Sequence, residues 1–122
     1  MTPTRVAIVG SRHLGEPALH HVRAYVLGLP EGTVVVSGDG GNVDRTAVAV
    51  ARCWGYPVRV HRADWIQGRS AGPRRNAEVE RDSDRLAAFW DGVSPGTRDT
   101  IGRFRRAGKR VEVYSPEGRR VE

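Results

Sequence analysis

VAIVGSRHLGEPALHHV, residues 6–22, decides how the rest of the chain is read. Four apolar residues, Val6 to Val9, stop at Gly10 and Ser11. A helical spacing of apolar residues, Leu19, Val22, Val26 and Leu29, follows Pro17. A short valine-rich run bounded by glycine reads as a strand, and proline suits the first turn of a helix. A strand that turns through glycine directly into a helix sets backbone N–H groups where a ligand can approach.

The same grammar recurs downstream. Arg5–Val9, Thr33–Val36, Val58–Val60, Leu86–Phe89 and Arg110–Tyr114 read as strands. Between them, Val43, Ala47, Val50, Ala51 and Trp54 form a second helical stripe, closed by Gly55-Tyr56-Pro57. Thr97, Ile101, Phe104 and Ala107 form another, ending at Gly108, and residues 73–85 read as a more polar helix. Strands alternating with helices imply βαβ units, and apolar strands covered on both faces fit them. The expectation is a single α/β domain over residues 1–122, a Rossmann-like open, mainly parallel sheet of about five strands flanked by helices. Residues 61–72 are too polar for a strand and are expected over the edge or mouth of the sheet. SPEGRRVE, residues 115–122, reads as a short tail.

Composition bounds the rest. The chain has 122 residues and a hydrophobic fraction of 39%, enough for a core without staples. No apolar run approaches the roughly 18 residues of a membrane span. The N-terminus enters a strand pattern at once, so neither a signal peptide nor a membrane partner is expected, and a cytoplasmic location is. The single cysteine, Cys53, excludes an intrachain disulfide framework, and its place at the end of an apolar helix predicts a buried thiol. No metal or cofactor is implied by the spacing of the Asp and His residues. The net charge of +6 is almost all arginine, Lys109 being the only lysine. Guanidinium groups match phosphate geometry, which permits anionic partners.

Ligands of open α/β sheets lie beyond the carboxyl ends of the strands, so four loops matter. After the first strand, Gly10 gives a tight turn, Ser11 caps or meets a phosphate, and Arg12 offers a cation. After the second comes SGDGGNVDRTA: Ser37, Gly38, Asp39, Gly40, Gly41 and Asn42 lead to Asp44 at a helix start. Such a turn is suited to an anion, though it is not the lysine-bearing P-loop. Asp39 would repel a phosphate, so it accepts from a ribose or base or is turned away. After the third, Trp65 either stacks on a nucleobase or closes over the core, and Gly72, Arg74, Arg75 and Asn76 lie where a helix begins. After the fourth, Gly92, Ser94, Gly96 and Thr97 precede another helix. Two anion-suited loops on one sheet point to a nucleotide or sugar phosphate.

VGSR, SGDGGNVDRTA, GRSAGPRRNAEV and FWDGVSPGT, in that order, resemble the SLOG superfamily, which includes the DNA-processing protein DprA and the LOG phosphoribohydrolases. The likeness is nearest to its small YspA-like branch and runs from Val6 to Tyr114. It implies a nucleotide-like ligand across the second and fourth loops. Ser37 to Asp44 match an S-G-G-x-x-G-[IV]-D pattern, with Asp39 and Asn42 in place of glycines. LOG chemistry, glycosidic cleavage of a nucleoside monophosphate, uses an arginine in an R-K-x-E-M-like run and a glutamate in P-G-G-x-G-T-x-x-E. Arg75 and Glu78 match the first, and Gly96 and Thr97 the second, but Thr100 stands at the glutamate position. Asp99 is adjacent to it but points about 100° away on a helix, and Asp91 is a carboxylate at a strand's end. Arg75, Asp91 and Asp99 are thus the catalytic candidates if there is turnover.

Three functions compete: a non-catalytic nucleotide-binding sensor or accessory module, which is favoured; a phosphoribohydrolase; and a nucleic-acid binder using Arg103, Arg106 and Arg110, which a charged solvent face explains equally well. Related proteins commonly self-associate, so a homodimer is expected.

Overall fold

A computed structural model describes residues 2–122. The chain runs β1 (Arg5–Gly10), α1 (Ala18–Leu27), β2 (Val34–Ser37), α2 (Asn42–Cys53), β3 (Val58–Val60), a 3-10 segment (Trp65–Ser70), α3 (Ala71–Arg81), β4 (Arg85–Phe89), α4 (Pro95–Arg106) and β5 (Arg110–Tyr114). The five strands form one parallel sheet in the order β3-β2-β1-β4-β5. This is the expected Rossmann-like fold.

The alternation along β1 explains the layering. Successive side chains point to opposite faces. Val6 and Ile8 join Val22, Val26, Val43, Ala47 and Phe89 in one core, under α1 and α2. Ala7 and Val9 join Val79, Leu86, Ile101, Phe104 and Val113 in the other, under α3 and α4. Sequential strands step outward from β1 to β3, and the chain then returns to the far side of β1 to lay down β4. Between β1 and β4 the direction of winding reverses, which is where such sheets open a crevice.

Several boundaries differ from expectation. The polar helix spans Ala71–Arg81, not 73–85. It ends at Asp82, whose carboxylate receives Arg59 and His61 from the β3 side. Arg85 belongs to β4, where it pairs with Val6 of β1 and Arg110 of β5, and its guanidinium reaches Glu112 (3.0 Å) and the Tyr25 hydroxyl (2.8 Å). Residues 115–122 are not a free tail. They turn back so that Val113 N–H donates to Glu122 O, and Val113 O accepts from Val121 N at 2.7 Å.

Cys53 is exposed, not buried. It lies two residues beyond Ala51, the last buried residue of α2, and so about 200° round the helix, away from the sheet. Trp54, expected to complete the apolar stripe, follows the last helical turn and is 65% exposed. Native protein is therefore expected to titrate one thiol with a disulfide reagent at the same rate with and without urea. A thiol that reacts only after unfolding would contradict this placement.

No helix among the described residues is long and apolar enough to cross a membrane.

Candidate functional site

A cleft of ≈ 260 Å³ opens at the carboxyl ends of β1, β2 and β4. Gly10 and Arg12 line it from the first loop, and Gly38, Gly40 and Asp44 from the second. Arg75 and Asn76 come from α3, and Ser94, Gly96 and Thr97 from the start of α4. Val9, Val79 and Pro95 complete the apolar floor and wall. These three were not singled out from sequence, because apolar residues carry no signal separating cleft floor from core. Thr100 also lines the cleft.

The remaining candidates support the site without lining it. The buried Ser37 hydroxyl is tied to Ile8 O (2.7 Å). Ser11 accepts Asp91 N–H on its hydroxyl (3.0 Å). Gly41 lets two loops touch: a Cβ there would stand 2.5 Å from Arg12 Cα and O. Asn42 N–H meets the same Arg12 carbonyl at 3.0 Å. Trp65 rests its ring against Gly72, outside the cleft. Gly92 has φ of 87°, a conformation that favours glycine in the turn before α4.

Asp39 is turned onto Arg75. The two form an ion pair, Arg75 Nε donates to Asn76 Oδ1 (3.0 Å), and the Arg75 side chain is 11% exposed. Its guanidinium lies against Gly38 and Gly40, and a Cβ on Gly38 would stand 2.9 Å from Arg75 Cδ. Part of the room left by the glycine-rich loop therefore receives an arginine of the chain itself. Asn76 continues the connection, donating to Asp99 Oδ2 (3.1 Å), which also accepts from Arg103 Nε (2.9 Å). Asp99 thus sits in the α3–α4 seam, away from the cleft lining. Arg103, one of the three arginines considered for a nucleic-acid face, is engaged by it.

Asp91 accepts from the Val93 and Ser94 amides and from the Ser94 hydroxyl. The Ser94 hydroxyl bond, with those amides, holds its carboxyl down at about 2. Asp91 fastens the turn before α4 as a permanently ionised acceptor. Thr100 carries no acid function, and its hydroxyl donates to Gly96 O (3.2 Å).

The two helix N-termini at the cleft differ. α2 brings its own carboxylate: Asp44 lies in its first turn and accepts Gly40 N–H (2.8 Å). A carboxylate there answers the positive end of the helix dipole. α4 has no acidic residue in its first turn and no side-chain cap. Among the described residues, neither the Gly96 nor the Thr97 amide has a protein acceptor. Arg12, at the same cleft, makes no side-chain hydrogen bond or ion pair among them. Free amides, an open dipole end and an unpaired guanidinium together suit an anion. No group of three or more His, Cys, Asp or Glu that could hold a metal occurs among the described residues.

No protein-family model matches the chain, and no curated protein matches it. Solved structures do. DNA processing protein A (DprA) from Streptococcus pneumoniae superposes with a TM-score of 0.78 at 19% identity, over 93% of this chain and 50% of that one. DNA processing protein A from Helicobacter pylori, described for its single-stranded DNA binding mode, gives 0.73 at 20% identity, over 93% and 66%. TM1055 gives 0.68 at 20% identity, over 88% and 72%. The chain spans about half the length of the Streptococcus protein. These likenesses establish architecture, and it is the one that the SLOG resemblance implies: the chain has the Rossmann-like fold of the two DNA processing proteins and of TM1055.

Proposed function

We propose that the cleft binds the phosphate of a nucleotide or related sugar phosphate, as a sensor or accessory module without turnover. The observation that carries this reading is the open N-terminus of α4. The Gly96 and Thr97 amides lack protein acceptors and face the same cleft as the unpaired Arg12. A phosphate dianion answers both. Arg75 is less available, since Asp39 already pairs with it.

The reading without turnover rests on the three positions at which the resemblance and the sequence put an acid. Thr100 is no acid, Asp91 is fixed in a turn, and Asp99 is held between Asn76 and Arg103. None of these three is placed to activate water at a sugar carbon held in the cleft, and Asp44, the carboxylate that does line it, is tied to the Gly40 amide.

Binding of AMP and other nucleoside monophosphates, followed by calorimetry, tests the reading. Arg12→Ala is expected to weaken AMP at least tenfold and to flatten the salt dependence of binding, since one charge-assisted contact is lost. Undiminished affinity in Arg12→Ala, or no binding by the wild type, would overturn the phosphate site. Free adenine appearing on incubation with AMP would overturn the non-catalytic part. Single-stranded DNA serves as the competitor, given the Helicobacter protein's description.

A further inference from the structure

Two arginines line the cleft, and the chain treats them differently. Arg12 is unpaired among the described residues, whereas Arg75 is answered by Asp39. Arg75 is also fixed in place. Its Nε donates to Asn76 Oδ1 (3.0 Å), and its side chain lies against Gly38 and is 11% exposed. Asn76 in turn donates to Gly96 O at 3.4 Å. One side chain therefore links the Arg75 guanidinium to the start of α4, the seat assigned above to the phosphate.

Asp39 is held more loosely. Its side chain is 27% exposed, and besides Arg75 it receives only the Ala63 amide, at 3.4 Å. Among the described residues it is the one carboxylate that pairs with Arg75, since Asp44, close by, directs its Oδ2 to the Gly40 amide. A carboxylate on a guanidinium occupies the place that an anionic group of a ligand would take. Because it is tethered, it competes without the freedom that a separate ion loses on binding. Its charge also repels a phosphate brought alongside it. A second phosphate on the ligand thus finds its cation occupied and a like charge next to it.

We infer that Asp39 sets how many phosphates the cleft accepts: by pairing with Arg75 it confines the ligand to one phosphate, seated at α4 and Arg12, and disfavours the second phosphate of a nucleoside diphosphate. This inference rests on the phosphate reading above and assigns the selectivity of that same site. Without the carboxylate, Arg75 becomes a second anion partner beside the first.

The test compares AMP with ADP by calorimetry, in the presence of a chelator so that no divalent cation covers the phosphate charge. Wild-type protein is expected to bind AMP at least as tightly as ADP. Asp39→Ala is expected to shift the ratio at least tenfold toward ADP. Asp39→Asn, which keeps the shape and removes the charge, should shift it the same way and carries the test if the alanine variant does not fold. Retained AMP binding reports an intact cleft in each variant. The double variant Asp39→Ala/Arg75→Ala separates a freed Arg75 from a general loss of negative charge. The proposal requires the wild-type ratio to return there, whereas a gain in ADP binding that persists without Arg75 would overturn it. A wild type that prefers ADP tenfold, or a ratio unmoved in both Asp39 variants, would also overturn it. If AMP is then still lost in Arg12→Ala, the phosphate site stands without this role for Asp39. If neither nucleotide binds the wild type or any variant, both readings fall.

Discussion

The stability of Asp44→Asn relative to wild type is expected to swing by about 3 kcal/mol between acid and neutral pH, the equivalent of a carboxyl moved from its ordinary value to about 6. Burial is the chief cause of that rise, with the Gly40 amide, nearby Arg75 and the Gly10 amide offsetting part of it and the Asp39 charge adding to it. A carboxyl raised on folding binds its proton more tightly in the native state than in the unfolded chain. Its contribution is thus fully present below the unfolded value and is lost as pH rises through about 6. Roughly 2 kcal/mol of the swing falls between pH 4.5 and 7. Urea titrations of both proteins across that range measure it, and the other titrating groups cancel in the difference. A constant difference would show that Asp44 titrates normally. A residue that lines the cleft thus weakens the folded protein at neutral pH, a common arrangement at binding sites.

Gly41→Ala is expected to destabilise the protein by about 2–4 kcal/mol and to weaken phosphate binding with it. The added methyl would lie 2.5 Å from Arg12 Cα and O, which are backbone atoms with no rotamer to yield. Relief requires the first loop to withdraw, breaking the Asn42 N–H to Arg12 O bond and carrying Arg12 away from the cleft. Gly96→Ala is the control. A methyl there meets nothing within 4 Å, and alanine is the better helix former, so stability should hold or rise by up to about 1 kcal/mol. Thermal and urea unfolding of the pair decide the matter. Equal behaviour would mean that the two loops do not touch as described.

The contrast between these two glycines marks how far sequence reading reaches. Both belong to glycine-rich turns before helices, and both were candidates for ligand contact. Only the fold distinguishes the one that admits a neighbouring backbone from the one that leaves an amide open. The strands were legible because most are short apolar runs bounded by turn residues: β3 and β5 match their expected limits, β1 and β4 are longer by one residue at an end, and β2 is shifted by one residue at both ends. α3 was less so. Its N-terminus carries no side-chain cap, and it begins inside a polar stretch after Trp65–Ser70. Asp39 illustrates the remaining gap. Its chemistry was awkward beside a phosphate, and its partner, Arg75, lies 36 positions away with no local pattern to announce the pair.

The return of residues 115–122 onto β5 also governs how copies of this domain can join. Both main-chain groups of Val113 are engaged by the chain's own end, while the opposite rim is the three-residue β3 bearing Arg59. Strand addition between molecules is therefore obstructed at the Val113 end of β5. A strand adding at that end of β5 would first have to displace residues 119–122 from Val113 and Ser115.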